Sequence, residues 1–180
     1  MEDMLEENMW LAYICALFGP FVQEDAAVLA AASGSVAKMV NTPLIFLMVS
    51  IGLIVSDLWK FWIGKAAIRN DWARQQAEKP RVQAMKSQVT GNLGKSIILG
   101  RFVPGVRIPL YIAAGFFGVS FARFAFFIIV SALVYIALAF ALFHALGAVA
   151  GEATRFVLPI VALSIFVTLI SLQTMRRKKS

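Results

Sequence analysis

Apolar residues fall along this chain in blocks of unequal length, and block length decides what each block can do in a bilayer. Residues 43–63 and 124–146 each exceed the roughly 20 residues that a helix needs to cross hydrocarbon, so both predict crossings. Residues 156–172 carry no charge and predict a third, C-terminal crossing. Residues 10–18 are apolar but too short to span, and Gly19-Pro20 interrupts them. The chain resumes as Phe21-Val22-Gln23-Glu24-Asp25 and a small-residue run at 26–32, which leaves two carboxylates inside an apolar region. That pattern predicts a re-entrant hairpin with polar residues at its break.

A second interrupted stretch runs from Gly100 to Gly115 and holds Arg101, Pro104, Gly105, Arg107 and Pro109. Pro104 removes a backbone donor and Gly105 accepts any φ, so a continuous helix should break there. Broken backbone at membrane depth persists only when buried in protein or lining a cavity. Residues 21–34 lie 81 positions before residues 102–115, and Phe, Val, Leu29/Leu110, Ala32/Ala113 and Gly34/Gly115 coincide. A crossing follows each of the two stretches. One crossing per half turns the second half upside down relative to the first, so two hairpins would enter from opposite faces and meet near the midplane. There Glu24 and Asp25 would approach Arg101 and Arg107.

The chain is therefore expected to be a single all-α integral membrane domain. Its architecture is an inverted repeat of re-entrant helical hairpin plus transmembrane helix, with an additional C-terminal transmembrane helix. The parts are an N-terminal segment (1–17), repeat 1 (18–64), a linker (65–95), repeat 2 (96–149), the last crossing (155–173) and a tail (174–180).

Composition agrees: 60% of the 180 residues are hydrophobic and 15% are charged, against roughly 45–50% and 25% in ordinary globular domains. A net charge of +7 would suit nucleic acid, but the basic residues gather in segments beside apolar blocks. Residues 65–95 hold Lys65, Arg69, Arg74, Lys79, Arg81, Lys86 and Lys95 against Asp71 and Glu78. That bias places the linker in the cytoplasm, together with the tail Arg176-Arg177-Lys178-Lys179. The start, Met1-Glu2-Asp3-Met4-Leu5-Glu6-Glu7, is acidic where a signal peptide would be basic, so no cleaved leader is expected. The single cysteine, Cys15, excludes an intrachain disulfide and multi-cysteine metal sites, and reads as a small buried hydrophobe. No metal and no cofactor are expected.

The chemistry sits in the intramembrane charges, which are functional by default. Arg101 and Arg107 suit a phosphate, because guanidinium offers a planar fork of donors and stays charged. The bland alternative is a structural ion-pair network. Glu24 and Asp25 are adjacent carboxylates that repel in low dielectric, so one of them is a candidate to exchange a proton; a helix N-cap is the alternative for Asp25. Asp57 lies one or two turns from the cytoplasmic end of its crossing and is a third candidate for proton coupling, controlling access or proton release on that side; a solvated carboxylate paired with Lys60 is the bland alternative. His144 reads as packing or interfacial. Gly34 and Gly115 would let helices approach closely.

The run Gly100-Arg101-Phe102-Val103-Pro104-Gly105-Val106-Arg107, followed by Ala113-Ala114-Gly115, resembles the signature of the DedA family, also called the SNARE-associated or VTT-domain family. Glu24 before a small-residue helix, and Ser56-Asp57-Leu58-Trp59 leading to Ile63-Gly64-Lys65, resemble its other landmarks. The resemblance covers roughly residues 18–150. It implies a membrane transporter or scramblase of lipids, and in bacteria the return of undecaprenyl phosphate across the inner membrane, phosphatidylethanolamine translocation and proton-dependent behaviour. Glu24 matches the family's hairpin acid, Asp57 its aspartate after glycine, and Arg101 and Arg107 its arginines. Ser56 stands where that glycine is usual, and Asp25 follows Glu24, which leaves open which carboxylate takes the proton.

The function expected is thus a multi-pass flippase of the bacterial inner membrane with a cytoplasmic C-terminus. Its partners would be protons and a membrane lipid with a phosphate head group, not nucleic acid. The lipid, the coupling ion and the oligomeric state stay open, with oligomers compatible with the sequence. The alternatives are a phosphatidylethanolamine translocase and a proton or ion transporter without lipid cargo. An enzyme is not expected: membrane phosphatases commonly use histidines as nucleophile and acid, and His144 is the only histidine.

Overall fold

The structure, a computed structural model, describes residues 2–71, 86, 89–103 and 106–150. Most of them fall in six helices: α1 (Glu2–Val22), α2 (Glu24–Val36), α3 (Thr42–Ala67), α4 (Leu93–Phe102), α5 (Arg107–Phe116) and α6 (Phe121–Ala150). No strand occurs among the described residues. The third predicted crossing, the basic tail, most of the linker and Pro104-Gly105 lie outside them.

The element order repeats. A helix, a short break, a second helix and a long apolar helix run from α1 to α3 and again from α4 to α6. The two helices flanking each break pack on one another. The second helix of each set ends in the same way. After α2, Lys38 takes a left-handed φ of 56°, Met39 N donates to the Gly34 carbonyl and Lys38 N to that of Ser35. After α5, Gly118 takes φ 71°, Val119 N donates to Ala114 and Gly118 N to Gly115. Both endings are Schellman motifs, which satisfy the last carbonyls and turn the chain sharply into the long helix.

The first break differs from expectation. α1 runs through Gly19-Pro20, and the chain breaks at Gln23, whose φ of −149° and ψ of 97° are extended. Pro20 lacks the N–H of one ladder bond, but the ladder recovers at once, because Gln23 N donates to the Gly19 carbonyl at 2.9 Å. Proline is tolerated inside apolar helices when the neighbouring backbone bonds hold. Cys15, expected to be buried, is exposed on α1; a thiol is apolar enough to face lipid.

α3 and α6, the latter over Phe121–Ala148, are the helices long and apolar enough to cross a membrane. Their exposed faces are the apolar ones: Leu47, Ile51, Val55 and Trp59 on α3, and Phe126, Ile129, Leu133, Leu138 and Leu142 on α6. Their polar residues Ser50, Ser56, Asp57 and Ser131 are buried. A helix of a water-soluble domain has the opposite arrangement.

Contacts divide the chain into two compact units, Met1–Leu53 with Tyr135–Ser180, and Ile54–Val134. Within the first, α1 crosses α3 so closely that a Cβ at Gly52 would collide with the Leu17 carbonyl. Phe46 and Phe140 pack edge to face, 5.2 Å between centroids, and Tyr13 Oη accepts from Asn41 N at 2.9 Å. Within the second, Phe61, Ile97, Leu110, Tyr111, Phe124 and Ile128 form a core. There α3 and α5 meet backbone to backbone: a Cβ at Gly64 would fall on the Ile112 carbonyl, and one at Gly115 on that of Phe61.

Candidate functional site

The second unit encloses charge. Asp57 on α3 is fully buried, and Arg101, in the last turn of α4, is 3% exposed. Arg101 Nη2 donates to Asp57 Oδ2 at 2.6 Å, and Arg101 Nε donates to Ser131 Oγ at 3.2 Å. Ser131 in turn donates to the Ile128 carbonyl at 3.1 Å, which fixes its hydroxyl on α6. The other oxygen of Asp57 meets Lys60 Nζ at 3.3 Å, and Lys60 also donates to Ser56 Oγ at 3.2 Å. Asp57 thus holds two cations, one from its own helix and one from α4. An ion pair removed from water in this way survives only when both ends keep further hydrogen-bond partners, as they do here.

Arg107 opens α5 and is buried, at 7% exposed. A cation in the first turn is opposed by the helix dipole, so helix stability does not account for it. Asp57, Lys60, Arg101 and Arg107 together carry three positive charges and one negative. Among the described residues of this unit, the buried charges are Asp57, Arg101 and Arg107.

In the first unit, Glu24 and Asp25 occupy the first turn of α2, where the dipole favours negative charge. The N-cap is Gln23, so Asp25 is not the cap that the sequence allowed. Tyr135 Oη donates to Asp25 Oδ1 at 2.9 Å. His144 Nδ1 lies 2.9 Å from the Phe140 carbonyl and Nε2 3.4 Å from Ser35 Oγ, which contacts Thr42 Oγ1 at 2.7 Å. Gly34 has only an ordinary contact, with Val40 at 3.6 Å from an added Cβ. Among the described residues no three of His, Cys, Asp and Glu gather as metal ligands.

Two features were not foreseen. Asp57, a proton-coupling candidate in the sequence, is the fully buried counter-ion of Arg101, a pairing that hydropathy alone does not locate. Ser131 and Tyr135 were also missed, although a signal exists. They are the only hydroxyl side chains in the apolar stretch 124–143 of α6, and α6 supplies one to Arg101 and the other to Asp25.

The family model of the VTT domain matches residues 20–145, from just before the first break to near the end of α6. The chain belongs to the VTT-domain family. The VTT-domain match includes both breaks, all of α3, most of α6, and Glu24, Asp25, Asp57, Lys60, Arg101 and Arg107. An uncharacterized membrane protein of Haemophilus influenzae is 25% identical over 123 residues, 64% of this chain. The chain spans 58% of that relative's length. No solved structure matches the chain. Family membership, two helices of spanning length and their apolar outer faces make this a membrane protein.

Proposed function

We propose that this VTT-domain protein carries a lipid with an anionic phosphate head group across the bacterial inner membrane, with undecaprenyl phosphate as the first candidate cargo. It does so in exchange with protons, with its C-terminus in the cytoplasm. The observation that carries the proposal is that two arginines, Arg101 and Arg107, are buried in one compact unit of a membrane protein, one of them on the buried carboxylate of Asp57. Arg101 and Arg107 are the phosphate ligands, helped by the first-turn amides of α5. In the empty carrier Asp57 occupies Arg101. Arriving phosphate replaces that carboxylate, and Lys60, already 3.3 Å away, keeps Asp57 paired. Glu24 and Asp25 take up the proton, with Tyr135 positioning Asp25. The breaks at Gln23 and at 103–106 act as the tips of two re-entrant hairpins entering from opposite faces.

The test is transbilayer movement of labelled undecaprenyl phosphate in liposomes holding the purified protein, with and without an imposed pH gradient. Movement that responds to the gradient, and is lost in Arg107→Ala while that variant stays folded, supports the proposal. Normal transport by Arg107→Ala sinks the assignment of the arginines. Movement of phosphatidylethanolamine alone, or proton flux without lipid, redirects the reading of the cargo.

A further inference from the structure

We propose that Ser131 is a positioning residue of the Arg101–Asp57 pair. It takes one of two parallel N–H groups of Arg101, so that Asp57 is held by the other and can give way to a phosphate. The proposal rests on the reading of Arg101 as a phosphate ligand and extends it to what sets the strength of the exchange. All the residues concerned belong to the second unit.

Serine in an apolar helix ordinarily serves its own backbone. Ser33 on α2 donates to the Leu29 carbonyl at 2.8 Å and Ser50 on α3 to that of Phe46 at 2.6 Å. Such a back-bond offsets the desolvation of a buried hydroxyl. Ser131, 7% exposed, also makes one, to the Ile128 carbonyl at 3.1 Å. Of the three, Ser131 is the serine that in addition accepts a bond from a cation, Arg101 Nε at 3.2 Å. Its single proton is committed to Ile128, so towards Arg101 the hydroxyl is an acceptor, and a neutral one. The platform is firm, since Ile128 is fully buried in the core of the unit.

Nε–H and one Nη2–H of a guanidinium point the same way, and a carboxylate frequently bridges them with two parallel bonds. Here that edge is divided. Nε goes to Ser131 Oγ, Nη2 goes to Asp57 Oδ2 at 2.6 Å, and the second oxygen of Asp57 meets Lys60 Nζ at 3.3 Å. Where neither side chain of the pair is exposed, a carboxylate bridging both N–H groups would compete strongly with any arriving anion. A neutral hydroxyl on one of them satisfies the donor, keeps the guanidinium against α6 and leaves the carboxylate one bond to break. When phosphate displaces Asp57, Ser131 is the partner that does not change. Without the hydroxyl, the freed Nε–H lies beside a carboxylate whose oxygens can each accept more than one bond, and Asp57 closes on both N–H groups. One charge-assisted bond more in the empty state lowers the fraction of carrier open to cargo about tenfold. Loss of the Ser131 hydroxyl therefore costs little stability and much affinity, whereas loss of a merely structural hydrogen bond costs stability.

The experiment combines thermal unfolding of the purified full chain in one detergent with movement of labelled undecaprenyl phosphate in liposomes, for wild type, Ser131→Ala and Ser131→Thr. Ser131→Ala should melt within about 3 °C of wild type, while its half-saturating lipid concentration rises about tenfold at an unchanged maximal rate. Ser131→Thr keeps the hydroxyl and should stay within about threefold of wild type in that concentration. A fall beyond about 3 °C in Ser131→Ala, as expected when a hydrogen bond to a charged group is simply lost, overturns the proposal. So does a half-saturating concentration that Ser131→Ala leaves unchanged. One arm needs no cargo: Asp57→Ala should lower the melting temperature further in the Ser131→Ala background than in wild type, because two bonds are lost in place of one, and an equal or smaller fall overturns the divided edge. If wild type moves no phosphate lipid, the cargo reading fails, and the unfolding comparison still decides the role of Ser131.

Discussion

Replacing Asp57 with alanine removes the carboxylate from a pair in which neither side chain is exposed, and leaves the Arg101 guanidinium in a site built for a salt bridge. Breaking one partner of a buried pair costs about 3–5 kcal/mol, because the remaining charge keeps its desolvation penalty and loses its compensation. For 180 residues, at about 2–4 °C per kcal/mol, that is a fall in melting temperature of roughly 6–20 °C. The reverse change, Arg101→Met, should cost less, since Asp57 keeps Lys60 at 3.3 Å. Asp57→Ala/Arg101→Met removes both charges and should recover most of the loss, because no guanidinium is then left buried without its carboxylate. The assay is thermal unfolding of the four proteins in one detergent, read as a double-mutant cycle. A loss below about 1 kcal/mol for Asp57→Ala, or strict additivity in the double variant, would refute the burial and pairing described here.

Two further outcomes follow from the geometry. Gly64→Ala and Gly115→Ala each press a methyl group onto a backbone carbonyl of the facing helix and should destabilise by about 1–3 kcal/mol or more, while Gly118→Asn, in open space at a left-handed φ that asparagine tolerates, should change unfolding far less. Tyr135→Phe removes the hydroxyl that donates to Asp25 and should cost about 1.5–3 kcal/mol in the same unfolding assay, as for hydrogen bonds to charged groups; no effect would mean that the bond is not held in solution.

The long helices were legible because a membrane crossing is written in composition and length. Residues 43–63 and 124–146 were expected, and α3 and α6 enclose them with a few residues more at each end, where the helix outruns its apolar stretch. The break after Phe102 was legible as well, since Pro104-Gly105 cannot continue a helix and α4 stops just before it. Gly19-Pro20 misled for the converse reason: one lost backbone bond is affordable in an apolar helix, and Gln23 ends α1 instead. The partner of Arg101 was not legible. Asp57 and Arg101 lie 44 residues apart, and nothing local to either marks the pairing. Ser131 and Tyr135 could have been singled out as isolated hydroxyls in an apolar helix, although their separate partners could not.

α3 and α6 are 26 and 30 residues long, about 39 and 45 Å at 1.5 Å per residue, of which the apolar stretches 43–63 and 124–146 take about 32 and 35 Å. The hydrocarbon core of a typical bilayer is about 30 Å thick. The excess has to be absorbed by tilt, by helix ends standing among the head groups, or by thickening of the lipid around the protein. Acyl-chain length therefore becomes a control on this protein in its own right: a membrane grown with longer chains relaxes the mismatch, and one with shorter chains strains the two helices that carry Asp57 and Ser131.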